Sequence, residues 1–71
     1  MTNAQKHKIS EGIAFIISTS MLAGLNYKEG QVAMIAVTEV MRELDEGRDS
    51  EDMLALLIDK VIEREGERLG L

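Results

Sequence analysis

Apolar and polar residues recur with a helical period along the chain, and two turn signals divide the pattern into three segments. The longest stretch without a charged side chain covers residues 12–27. On a helical wheel, the apolar residues of this stretch and of the preceding helical turn form one main arc, and Phe15 and Leu22 lie opposite that arc. A helix that is apolar on both sides is typical of a buried or interface position. The main arc comprises Ile9, Ile13, Ala14, Ile16, Ile17, Ser20 and Met21.

Capping signals set the two ends of the first helix. Thr2 and Gln5 have the spacing of a capping box, which predicts a helix over residues 3–23. Gly24 stands where a helix that ends in a Schellman motif needs a residue with positive φ, and Leu25 follows as its apolar contact. The sequence therefore predicts a sharp turn directly after the uncharged stretch.

The second helix begins almost at once, because Asn26 and Glu29 form another capping box. It is predicted over residues 27–46 and ends at Gly47, which suits a second left-handed stop. A link this short between two helices favours an antiparallel hairpin. The core face predicted for the second helix comprises Ala33, Ala36, Val37, Val40, Met41 and Leu44, with Val32 and Ile35 on its back.

The third helix is predicted over residues 51–65, capped by Asp49 or Ser50. Its apolar stripe comprises Leu54, Leu57, Ile58, Val61 and Ile62. The chain has 71 residues, no proline and only two aromatic residues, so long helices are permitted and strands lack their usual material. We therefore predict an all-α fold in a single domain over residues 1–71.

The first two helices carry more apolar surface than one small core can use. A chain this short buries only about 60% of its surface when it folds alone, and a contiguous exposed apolar patch usually marks a contact. We predict that the surplus forms the seam of a homodimeric helical bundle or binds another protein. The alternative is that the third helix covers it within one chain. The predicted interface residues are Phe15, Leu22, Leu25, Tyr27, Val32 and Ile35.

A second feature is an acidic run over residues 39–52, with seven carboxylates against Arg42 and Arg48. It lacks the alternating aspartates of a helix–loop–helix calcium site. Three interpretations stand: a dock for a basic partner, a mimic of nucleic acid, or solvated surface. The predicted docking patch comprises Glu39, Glu43, Asp45, Glu46 and Asp49.

Catalytic and metal-binding patterns are missing from the sequence. His7 is the only histidine, there is no cysteine, and no glycine-rich phosphate loop, nucleophile elbow or zinc motif occurs. A general base needs an orienting partner and a cleft, and the sequence nominates neither. We therefore expect neither an enzyme nor a cofactor, and with no disulfide framework or targeting segment we expect a cytoplasmic protein.

The leading interpretation is a small protein-binding regulator, adaptor or inhibitor, of the type that viruses encode to modulate host proteins. One alternative is a DNA-associated regulator, since the last two helices resemble the helical part of ribbon-helix-helix repressors. That family reads DNA with a basic strand, whereas here the preceding segment is an uncharged helix and the net charge is −5. The other alternative is a helical oligomer that holds a small ligand, with Ser18, Thr19 and Ser20 as its polar contacts.

Overall fold

A computed structural model describes all 71 residues and contains three helices and no strand. The helices are α1 (Asn3–Leu22), α2 (Tyr27–Asp45) and α3 (Glu51–Arg68). The predicted all-α class is confirmed. Helix α3 extends beyond the predicted end because Gly66 is accommodated inside it, and Arg68 suits the negative end of the helix dipole.

Both predicted capping boxes are formed. The Thr2 hydroxyl accepts from the Gln5 N–H at 3.1 Å, and the Thr2 N–H donates to the Gln5 side chain at 2.8 Å. Asn26 and Glu29 make the same reciprocal pair, with both distances at 2.9 Å. Ser50 caps α3. The starts of all three helices are therefore set by short-range hydrogen bonds that the sequence specifies.

The turn between α1 and α2 is the predicted Schellman motif. Gly24 has φ +72°, the left-handed conformation that glycine adopts without a steric penalty. The Leu25 N–H donates to the Ser20 carbonyl at 3.0 Å, and the Gly24 N–H donates to the Met21 carbonyl at 3.1 Å. These are the two bonds that define the motif, so α1 ends where the sequence predicts within one residue.

Helices α2 and α3 pack together as an antiparallel pair. The Lys28 ammonium, near the start of α2, donates to the Leu69 carbonyl at the end of α3, at 3.3 Å. Arg64 of α3 reaches Glu39 of α2 at 3.1 Å. The buried side chains of this pair are Val32, Ala36, Val61 and Glu65.

Helix α1 makes no comparable packing contact with α2 or α3, and none of its residues is buried. The radius of gyration is 13.6 Å, whereas a compact chain of this length has about 11 Å. The antiparallel hairpin of α1 and α2 is therefore not confirmed. Only four of the 71 residues are buried, so a single chain does not enclose a core of ordinary size.

Candidate interaction surfaces

An open apolar groove of about 840 Å³ runs along one side of the α2–α3 pair. Val37 and Met41 line it from α2, and their side chains remain 44% and 59% exposed. Ile58 and Ile62, four residues apart on α3, form the facing wall. The groove is therefore lined by apolar side chains of both helices and is open to solvent.

The composition of α2 explains why this groove stays open. Helix α3 packs on the flank of α2 that carries Val32 and Ala36, so the neighbouring stripe with Ala33, Val37 and Met41 faces outward. Two alanines in this part of α2 also keep the groove wide, because a methyl group fills little of the space between helices. The stripe that the sequence predicts as core is thus only partly covered within one chain.

Acidic side chains border the groove at the end where α2 begins and α3 ends. Glu29, Glu63 and Glu67 lie there, all exposed, beside Leu25 and Leu71. None of these three carboxylates makes an ion pair within the chain. A basic segment that entered the groove would therefore meet uncompensated negative charge.

Helix α1 offers two apolar faces to solvent. On the main arc, Ile9, Ile13 and Ile17 are about half exposed, at 48%, 50% and 54%. On the opposite side, Phe15 is 73% exposed and Leu22 is 90% exposed. An α-helix with this much apolar surface is typical of an interface rather than of an isolated arm.

The predicted interface residues fall into two groups. Phe15, Leu22 and Tyr27 are exposed along α1 and at the turn, whereas Leu25 lines the groove. Val32 is 5% exposed and lies against α3, and Ile35 is half-buried. Helix α3 therefore covers the back of α2 at Val32, as the alternative interpretation expects, because α3 packs on that flank.

The predicted acidic patch is partly neutralised by arginines of the same chain. Glu39 pairs with Arg64, and Glu43 and Glu46 both contact Arg48. The hydrogen bond from Arg48 lowers the pKa of Glu43 below its ordinary value of 4.5. The patch members without an ion pair are Asp45 and Asp49.

Glu65 is an ion-pair centre that the sequence pattern does not reveal. Its carboxylate accepts from the Nε of Arg64 at 2.9 Å and from the Nε of Arg68 at 2.7 Å, although the residue is only 8% exposed. These two bonds, the one from Arg64 first, lower its pKa. The sequence feature that could have indicated its burial is its position one turn after Val61, on the face of α3 that meets α2.

The side chains with catalytic potential do not converge. His7 contacts only Glu11, at 3.1 Å, and both are exposed on the first turns of α1. No group of three or more potential ligands is arranged to hold a metal ion. None of the three helices is both long enough and apolar enough to span a bilayer. Comparison with protein-family models, with curated proteins and with solved structures gives no match.

Proposed function

We propose that this chain is a small non-enzymatic protein that acts by binding other proteins, and that its working form is a helical homodimer. The observation that carries the proposal is the excess of exposed surface. The chain exposes 5775 Å², whereas a folded monomer of its mass exposes about 4,400 Å². Two chains that each hid all of this excess would bury about 2,700 Å², and obligate dimers begin at about 2,000 Å², so a dimer can leave part of the excess exposed.

A homodimer leaves a second surface for a different protein. Phe15, Leu22 and Tyr27 form an exposed apolar face along α1 and the turn, on the side away from the main arc. Aromatic residues dominate the binding energy of many interfaces, so Phe15 and Tyr27 are the anchors that we assign to target binding. We therefore propose a regulator, adaptor or inhibitor, of the type that viruses encode to modulate host proteins, which associates with itself and binds its target through this face.

The acidic patch supplies a further element of target choice. Asp45 and Asp49 flank the turn after α2 and have no ion-pair partner, whereas Glu39, Glu43 and Glu46 are already paired. Charged groups at the rim of an interface steer association and exclude wrong partners more than they add affinity. We assign this patch to the recognition of a basic target surface.

The native mass of the purified protein tests the proposal. We expect twice the chain mass of 7.9 kDa, with no additional component. A stable monomer at micromolar concentration would contradict the homodimer. A dimer with a few hundred daltons of extra mass would favour the ligand-binding alternative instead, since the groove volume lies within the range of small-molecule sites, about 300–1,000 Å³.

Target binding is tested by comparing two charge substitutions. Phe15→Glu places a carboxylate in the proposed target-binding face, and Met53→Glu makes the same kind of change on α3, where Met53 is 65% exposed. We expect a protein captured by the wild type to bind Met53→Glu normally and Phe15→Glu weakly. Equal binding to both variants would contradict this assignment. Loss of binding at high salt to a DNA probe, in the absence of any protein target, would favour the DNA-associated alternative.

A further inference from the structure

We propose that α1 of a second copy of this chain lies in the groove between α2 and α3, and that reciprocal exchange of α1 forms the dimer. This inference rests on the proposed homodimer and goes beyond it by naming the element that fills the groove. Each groove is then incomplete without the partner's helix. Four observations lead to this occupant: the turn that holds α1 away, the match of apolar rows, the distribution of charge and the exposed area.

The turn keeps α1 off its own groove. The Gly24 and Leu25 N–H groups are bound to carbonyls of the last turn of α1, and the Asn26 N–H is bound to the Glu29 side chain at 2.9 Å. With these bonds in place, α1 packs on neither α2 nor α3. Closure onto its own groove would require the backbone of this turn to change, whereas the α1 of another chain can enter the groove with every cap intact.

One apolar row of α1 matches one row of the groove in length. Ile9, Ile13 and Ile17 form a row within the main arc, and Ala33, Val37 and Met41 form a row of α2 that lines the groove. Eight residues of helix separate the ends of each row, which is about 12 Å. Ile13 lies at the centre of the first row and Val37 at the centre of the second, so these two positions meet whichever direction the incoming helix takes.

The charges of the two elements are complementary. Helix α1 carries Lys6 and Lys8 against a single carboxylate, Glu11, whereas the rest of the chain carries twelve acidic residues against six basic ones. Carboxylates without an ion pair border one end of the groove, at Glu29, Glu63 and Glu67, and Asp45, also without an ion pair, follows Met41 by one turn of α2 toward the other end. The basic start of α1 therefore meets negative charge in either orientation, which favours this helix over another acidic element.

The area also suits a second copy. The main arc of α1 and the open groove both contribute to the excess surface of one chain, which is about 1,400 Å² relative to a monomer of its mass. Exchange of α1 covers both at once and does so twice in a symmetric dimer, because a two-fold interface uses the same contacts in each direction. A partner that covered the groove alone would leave the main arc of α1 in water.

Engineered disulfides test the exchange, because the natural chain has no cysteine. One chain carries Ile13→Cys and a second, differently tagged chain carries Val37→Cys. After mixing and mild oxidation, we expect a disulfide between the two kinds of chain. The matched control replaces Ile13→Cys with Phe15→Cys, on the opposite side of α1, and we expect that yield to be far lower. Dimers of wild-type mass that fail to form the Ile13–Val37 bond would overturn the exchange while leaving the homodimer intact.

The doubly substituted chain distinguishes the remaining outcome. In a chain that carries both Ile13→Cys and Val37→Cys, exchange gives disulfide-linked dimers. A disulfide within a single chain at low protein concentration would show that α1 closes onto its own groove, and it would overturn the proposal. A monomeric native mass for the wild type would instead overturn the homodimer itself, so the two failures are separate.

Complementation between variants gives a second readout. Ile13→Asp damages the incoming helix and Val37→Asp damages the groove, so each variant alone should lose the doubled mass. A mixture of the two should recover a dimer, because the intact α1 of one chain fits the intact groove of the other. Circular dichroism of each variant checks that the helices are retained. Absence of recovery in variants that remain helical would contradict the exchange.

Discussion

Gly24 holds the turn between α1 and α2 in a conformation that side chains with a Cβ rarely adopt. Its φ is +72°, and a Cβ built at this position would meet no other atom within 4 Å. The penalty for a larger residue therefore comes from the backbone alone. For a left-handed residue with a Cβ this penalty is about 1–2 kcal/mol, and β-branching adds to it.

We therefore predict that Gly24→Val lowers the free energy of unfolding by at least about 1 kcal/mol. The same substitution at Gly12 is the matched control, because Gly12 lies inside α1 with helical geometry and open space around it. Valine is a better helix former than glycine, so Gly12→Val should be neutral or slightly stabilising. Urea unfolding of the three proteins measures the difference. Equal midpoints for Gly24→Val and the wild type would contradict the role of the turn.

The ion pairs of Glu65 make the stability of the α2–α3 pair depend on pH. The hydrogen bonds from Arg64 and then Arg68 lower its pKa from 4.5. A carboxyl group with a lowered pKa in the folded state stabilises the fold above its ordinary pKa, and this stabilisation is lost as the pH falls through the folded-state value. Glu43, whose pKa is lowered by Arg48, acts in the same direction.

We predict that Glu65→Gln flattens the loss of stability below about pH 4.5, since the variant has no carboxyl group to protonate there. Glu67→Gln is the matched control, because Glu67 is exposed and makes no ion pair. The unfolding midpoint is plotted against pH from neutral pH down to about pH 3. This plot should keep the wild-type slope in Glu67→Gln and lose part of it in Glu65→Gln. An unchanged slope in Glu65→Gln would contradict the ion-pair centre.

At the scale of the elements, the helix ends were predictable from the sequence and the helix pairing was not. The caps at Thr2, Asn26 and Gly24 depend on residues within five positions of one another, so the sequence specifies them locally. The pairing depends on which flank of α2 meets α3. Helix α2 has apolar residues on two adjacent flanks, and a helical wheel does not tell which of them a neighbour covers.

The candidate surfaces were likewise predictable from the sequence only in part. The sequence shows that Phe15 and Leu22 lie opposite the main arc, but their exposure follows from the lack of packing of α1 on the other two helices. The groove was not predicted, because it exists only where α3 packs on the flank with Val32 and Ala36. The burial of Glu65 was missed for a related reason, since two arginines on its own helix compensate a charge that polarity alone would place in solvent.

At the scale of the whole molecule, the small core leads us to expect that stability depends on association. A chain that buries Val32, Ala36, Val61 and Glu65, and little else, lacks the apolar burial that offsets the entropy of ordering 71 residues. Any contact that covers the faces of α1 and the groove supplies the missing apolar burial. For a homodimer, mass action then makes the apparent stability depend on protein concentration.

We predict that the melting temperature rises as the concentration of the wild-type protein is raised from about 1 to 100 µM, the signature of unfolding coupled to dissociation. Ile13→Asp should melt lower at every concentration, because it places a charge in the main arc of α1. Ser18→Asp, the same kind of charge in the same helix but outside the centre of that arc, is the matched control and should follow the wild type closely. Scanning calorimetry across the concentration series measures all three. A wild-type melting temperature that does not change with concentration would mean that one chain completes its own core, and α1 would then have to lie against α2 and α3 in solution.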